Sequence, residues 1–185
     1  MSGLEVRRLD LEGLIEVVPQ RFADDRGFFS EVWRQDRFDA AGIGKHFLQD
    51  NLSVSRVRGV VRGLHYQVPP AAQAKLVRVS RGSIFDVAVD IRRGSSTFGR
   101  WAGVIVSAEK WNQLFIPEGF AHGFVTLEDD TEVNYKVSAP YSPEHDRSIR
   151  FDDPEIGIEW PIQGEPLLSA KDAAAPLLRD AETGF

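Results

Sequence analysis

Short apolar and β-branched runs recur through this chain too closely for long helices: residues 28–33, 52–55, 60–66, 75–80, 84–91, 101–106, 113–116, 122–127 and 132–137. Most are separated by Gly, Pro, Asp or Ser, and that rhythm predicts an all-β sandwich or barrel. Alternation is clearest from Ile84 to Ile91, where Phe85, Val87, Val89 and Ile91 share one face and Asp86, Ala88 and Asp90 the other. One face should pack and the other meet something polar. Arg81-Gly82, between two such runs, reads as a tight hairpin, because Gly supplies the positive φ such turns need. Residues 35–41 suit a short helix with Phe38 and Ala41 on one side, and residues 171–179 suit a second, interrupted by Pro176. Both helices should be peripheral.

A length of 185 residues supports one hydrophobic core rather than two, so residues 1–185 are expected to form a single domain without internal repeats or linkers. No apolar run is long enough to cross a hydrocarbon layer of ~30 Å, and the first residues mix charged and apolar types without a secretory h-region. Cytoplasmic residence, away from membranes, is the expectation. Cysteine is absent, which removes disulfides and thiolate metal sites. The net charge of -6 argues against nucleic acid as a partner, so any phosphate-bearing ligand needs a local basic pocket.

Two of the four histidines lie in dense polar contexts, His65 in Arg62-Gly63-Leu64-His65-Tyr66-Gln67 and His122 in Ile116-Pro117-Glu118-Gly119-Phe120-Ala121-His122-Gly123. The Pro-x-Gly-x-x-His spacing of the second is that of a cupin-type jelly roll, in which the turn delivers the His into the barrel mouth. Metal-binding cupins carry a second His and a carboxylate close to the first motif. Here Tyr66 and Gln67 follow His65, so the residues do not assemble three or four metal ligands, and no metal is expected.

A polar His without metal is best used as a general base, since its ordinary pKa of ~6.5 suits proton transfer near neutrality. Inverting a carbon beside a carbonyl needs that base, a positive group at the enolate oxygen and an acid on the opposite face. Arg62 and Lys75 could supply the charge, Tyr135 the acid, and Asp172 could hold the tautomer of His65. By default, however, a strand His or Tyr packs or meets solvent, and Arg and Lys are surface charges. Strict alternation also puts Arg62 and His65 on opposite faces, so their joint use requires a bulge near Gly63. Spacing alone leaves the function open.

Taken together, the motifs resemble one family, the dTDP-4-dehydrorhamnose 3,5-epimerases, from about Val17 to Asp172. The likeness is carried by Asp25-Arg26-Gly27-x-Phe29-x-Glu31, Gln49-Asp50-Asn51-x-Ser53, the His65 motif, Lys75-Leu76-Val77, Phe85-Asp86-Val87-x-Val89-Asp90, the His122 motif continued to Phe124, Tyr141-x-Pro143 and Ser169-x-Lys171-Asp172. This resemblance implies a double-stranded β-helix, a cupin-like jelly roll with a few short peripheral helices. It also implies a homodimer that inverts C5 and C3 of a dTDP-4-keto-6-deoxy sugar without a cofactor.

It further implies residue roles. His65 abstracts the protons with Asp172 paired to it, Tyr135 protonates from the other face, Lys75 lies at the C4 oxygen, and His122 completes the polar lining. Gln49 and Asn51 sit beside the thymidine, Arg62 on the diphosphate, Tyr141 against the base and Lys171 near the C-terminal end of the site. Arg26 and Glu31 are lent across the dimer interface. The family usually has Glu where this chain has Asp146, leaving that carboxylate one methylene shorter. The rivals are an enzyme of the same fold inverting C3 or C5 alone, a metal-dependent cupin, and a catalytically silent sugar-nucleotide-binding module.

Overall fold

The computed structural model describes residues 3–185. Thirteen strands occur among them: β1 (Leu4–Arg8), β2 (Ile15–Pro19), β3 (Phe22–Asp24), β4 (Gly27–Phe29), β5 (Gln49–Ser55), β6 (Val61–Gln67), β7 (Lys75–Arg81), β8 (Ser83–Asp90), β9 (Trp101–Ser107), β10 (Gln113–Ile116), β11 (Phe120–Thr126), β12 (Thr131–Val137) and β13 (Asp146–Ser148). Helix α1 spans Gln35–Ala40 and α2 spans Ala170–Ala173, and a single 3-10 turn at Leu178–Asp180 follows Pro176. The helices are thus short and peripheral, as the sequence suggests. No helix among the described residues is long and apolar enough to cross a membrane.

A six-stranded sheet, ordered β1-β2-β10-β7-β12-β5, faces a five-stranded sheet, ordered β13-β6-β11-β8-β9, and all pairings are antiparallel. From β5 onward the chain crosses to the other sheet at every connection except β8 to β9. This alternation is that of the jelly roll. It also corrects the hairpin expected at Arg81-Gly82: β7 and β8 lie in different sheets, so the turn is a corner rather than a hairpin. Gly82 has φ +78°, and a Cβ there would lie 3.2 Å from the Thr131 Cα. The glycine is needed, but for a sheet-to-sheet crossing against β12.

Between the sheets lies a core of Leu11, Leu14, Val77, Val79, Ile84, Ala88, Val104, Val106, Leu114, Ile116, Phe120, Phe124 and Val133. The alternation of β8 is real, yet both of its faces are buried. Val87, Val89 and Ile91 pack outward against Leu64, Ile149, Ile156 and Leu178, so the C-terminal segment covers the back of this sheet. Ile84 and Ala88 point into the core, and Asp86 lies on that same inner face. The outer face of the other sheet is half-covered by Phe38 of α1 and by Ile43, with Trp33 and Phe47 beside them. The expected strand at residues 28–33 is shorter than predicted: only β4 forms, and it pairs with β3 alone as a separate hairpin.

Candidate active site

The site begins with an irregularity in β6. His65 is paired with His122 and Arg62 with Phe124, so three steps on β6 oppose two on β11. This is the bulge that joint use of Arg62 and His65 requires. Gly63 makes it feasible, because a Cβ there would sit 2.4 Å from the Gly123 Cα. Arg62 and His65 consequently line one cavity despite their odd spacing.

His65 Nε2 lies 2.5 Å from Asp172 Oδ1. An ionised carboxylate only accepts hydrogen bonds, so in the neutral ring Nε2 carries the proton and Nδ1 keeps its lone pair. Asp172 is held in turn at the N-terminus of α2, where its backbone N–H donates to Ser169 Oγ at 3.1 Å. Burial pushes the Asp172 carboxyl up, but hydrogen bonds from His65, Ser169 and the Gly63 amide bring it below the usual carboxylate range. The bulge therefore serves both members of the pair.

A second pair lies behind the first. His122 Nε2 is 2.6 Å from Asp86 Oδ1, and both side chains are buried. Burial, opposed by Asp86, lowers the pKa of His122 and favours its neutral ring. Beside it Lys75, on the facing sheet, donates from Nζ to the His65 carbonyl at 3.2 Å. Burial takes its pKa down to about 8, while Asp86 and Asp146 act in the opposite sense. Tyr135, on β12 next to Lys75's strand, has its phenol pushed up by burial, so it holds its proton at neutral pH.

Two adjoining cavities of about 420 and 230 Å³ share His65, Lys75, Tyr135 and Lys171. Their sizes suit a small-molecule site of ~300–1,000 Å³. His65 stands on the five-stranded wall and Tyr135 on the six-stranded wall. Gln49, Asn51, Tyr141 and Asp146 line the larger cavity, and Arg62, His122 and Asp172 the smaller. Gln49 Nε2 donates to Asn51 Oδ1 at 2.8 Å, and its Oε1 accepts the Tyr141 amide at 3.1 Å. Asp146 Oδ2 is held by Lys171 Nζ and by the Tyr141 hydroxyl. The shortened carboxylate thus reaches two neighbouring site residues.

Arg26 and Glu31 are the two predicted residues that the chain does not bring to these cavities. Arg26 lies in the turn of the β3–β4 hairpin, paired with Asp24, and Glu31 is paired with Arg34 and Arg37. The residue reading missed roles for Asp86, Ser169, Ser53 and Gln67. Ser53 Oγ is buried with no hydrogen-bond partner among the described residues, and Gln67 ties the rim together through Ala71 O, Pro140 O and the Ser142 amide. Asp86 had a signal in the β8 alternation, as a carboxylate on the inward face of a strand. Ser169 had one too, as an N-cap three residues before Asp172.

Comparison with known proteins agrees with this geometry. The sequence profile of the dTDP-4-dehydrorhamnose 3,5-epimerase family matches residues 8–180. A dTDP-4-dehydrorhamnose 3,5-epimerase from Sinorhizobium fredii is 52% identical, the alignment covering 100% of this chain and 97% of that protein. Among solved structures, a dTDP-6-deoxy-D-glucose-3,5-epimerase from Legionella pneumophila in complex with dTDP-4-keto-L-rhamnose superposes with a TM-score of 0.93 at 45% identity, covering 97% of this chain and 95% of that one. A 3'-monoepimerase from Streptomyces bikiniensis bound to dTDP-quinovose gives a TM-score of 0.86 at 39% identity, covering 92% and 86%. With a bulge-built His–Asp pair, a facing Tyr and a family profile spanning nearly its whole length, this chain belongs to the dTDP-4-dehydrorhamnose 3,5-epimerase family.

Proposed function

We infer that the protein is an isomerase that inverts C5 and C3 of dTDP-4-dehydro-6-deoxy-D-glucose, a step of dTDP-L-rhamnose biosynthesis. The observation that carries this reading is His65, oriented by Asp172, on one wall of a cavity with Tyr135 on the other. His65 Nδ1 takes the proton beside the C4 ketone, and the electron pair moves onto the C4 oxygen as an enolate. Lys75 stabilises that oxygen. Tyr135 then delivers a proton to the opposite face. Each inversion leaves an imidazolium and a phenolate, and exchange with solvent through the open mouth resets them. A donor aimed at a developing oxyanion contributes ~3 kcal/mol, about a hundredfold in rate.

Gln49, Asn51 and Tyr141 hold the thymidine, Arg62 and Lys171 meet the diphosphate, and Asp146 fixes the Lys171 ammonium. His122 completes the sugar pocket. No cofactor takes part. The whole chain acts as one domain, resident in the cytoplasm where nucleotide-activated sugars are made. It works as a homodimer in which Arg26 and Glu31 reach the partner's site. Supporting that arrangement, the β3–β4 hairpin pairs with no other strand and exposes Phe22, Phe28 and Phe29.

Inversion of one carbon alone is the second reading, favoured by the likeness to the 3'-monoepimerase. Turnover in deuterated water separates the two. Deuterium at both C3 and C5 is the expected result, and label at C3 alone would overturn the double inversion.

A further inference from the structure

Of the buried acids that the catalytic scheme leaves unused, Asp86, Asp90 and Asp153, the one bonded to a residue of the site is Asp86. Asp86, on β8, is 0% exposed; its Oδ1 meets His122 Nε2 at 2.6 Å, and its Oδ2 has no hydrogen-bond partner among the described residues. A buried carboxylate oxygen without a donor is costly unless a positive charge stands close by. The cation available is Lys75, itself only 8% exposed, whose Nζ makes one hydrogen bond, to the His65 carbonyl. Each of these two buried groups lacks the full set of partners its charge calls for, and they share one end of the barrel.

We propose that Asp86 is a positioning residue of the epimerase, holding the His122 ring by its Nε2–H and acting as the buried counter-charge of the Lys75 ammonium. The titratable and charged groups around Lys75 are Asp86 on β8, His122 on β11, His65 on β6, Arg62 on the same strand, Tyr135 on β12, Asp146 on β13, and Lys171 and Asp172 on α2. Burial is the largest influence on Lys75 and favours loss of its proton. Asp86 opposes this most, ahead of Asp146, while Lys171 adds to the burial effect. Asp146 already faces Lys171, which leaves Asp86 as the anion that sustains Lys75. With its Nε2 tied to Asp86, neutral His122 also turns an unprotonated Nδ1 away from the carboxylate.

This inference rests on the assignment of Lys75 to the C4 oxygen, and its test separates the two. In the full-length protein, kcat/KM should fall above about pH 8 as Lys75 loses its proton. Asp86→Asn, which keeps the shape and removes the charge, should move that fall to lower pH by about one unit or more. The same displacement should appear in a Lys75 13Cε NMR titration, which requires no turnover. In a Lys75→Arg background the fall should vanish, and Asp86→Asn should then leave the shape of the profile unchanged. An unmoved NMR midpoint in Asp86→Asn overturns the role of Asp86, whatever the rate. Full activity in Lys75→Gln overturns the Lys75 assignment instead. Should Asp86→Asn fail to fold, the carboxyl 13C resonance of Asp86 in the unaltered protein must inflect at the Lys75 midpoint, and its failure to do so refutes the proposal.

Discussion

Two His–Asp pairs stand side by side on neighbouring strands, made through the same ring atom and at nearly the same distance, yet they are built for different work. His65 and His122 are direct partners in the β6–β11 ladder, each bonded through Nε2 to a carboxylate. The His65 side chain is 33% exposed, while that of His122 is 8% exposed. That exposure suits the proton transfer proposed for His65. Burial favours a neutral His122, whose Nε2–H is given to Asp86 and whose Nδ1 is left to accept. A carboxylate behind an imidazole does not make a base; access to the reacting atom does.

The largest expected effect breaks the pairs apart kinetically. Replacing His65 by Asn removes the proposed general base, for an expected loss of ~10⁴-fold in kcat at the upper end of acid–base catalysis. Affinity for dTDP should survive, because the residues proposed to hold the thymidine and diphosphate lie elsewhere in the cavities. His122→Asn keeps a polar side chain in the wall and should cost ~10- to 100-fold, the scale of lost orienting contacts. Equal losses in steady-state kinetics of the two variants would erase the distinction between the pairs.

How far this comparison was legible in sequence follows from the physics of each element. The strands announced themselves because period-two patterning and turn residues are local signals. Gly82 misled because a positive-φ glycine marks a sharp turn without saying which sheet the next strand joins. The burial of both faces of β8 was invisible, since its outer cover comes from Ile156 and Leu178, far along the chain. The bulge at Gly63 could be anticipated as a requirement, because Arg62 and His65 are out of phase on a regular strand. Asp172 is 107 residues from His65, and nothing periodic connects them. The residues alone offered Asp172 only as one group that could orient His65; the resemblance to a family paired the two, and it placed no comparable emphasis on Asp86.

A smaller effect sharpens what the mouth carboxylate does. Asp172→Asn leaves a partner for the ring, but the amide can donate to Nε2 and so favour the tautomer with its proton on Nδ1, where the base needs a lone pair. A loss of ~10- to 100-fold in kcat is expected, with KM little changed. 15N NMR of the His65 ring should show the proton moving from Nε2 to Nδ1. An unchanged tautomer with unchanged rate would leave Asp172 only the packing role that its place in α2 already gives it.

The smallest effect separates the pairs by the pH at which each ceases to stabilise the fold. His122 has a folded pKa below its unfolded value of ~6.5, because burial disfavours the imidazolium. Between those two values the unfolded chain binds the proton and the folded chain does not. Stability is therefore full above about pH 6.5 and declines as the pH falls, by at most about 1.4 kcal/mol per unit for this one group. Asp172 behaves differently: its folded pKa is depressed, so its contribution is complete above about pH 4 and lost only as the pH falls toward the folded value. Denaturant unfolding between pH 7.5 and 5 should then show a slope that His122→Gln removes and Asp172→Asn leaves in place. A slope that survives His122→Gln would mean that the inner ring takes up its proton without leaving the folded state, and that the sealed pair is as open to titration as the one at the mouth.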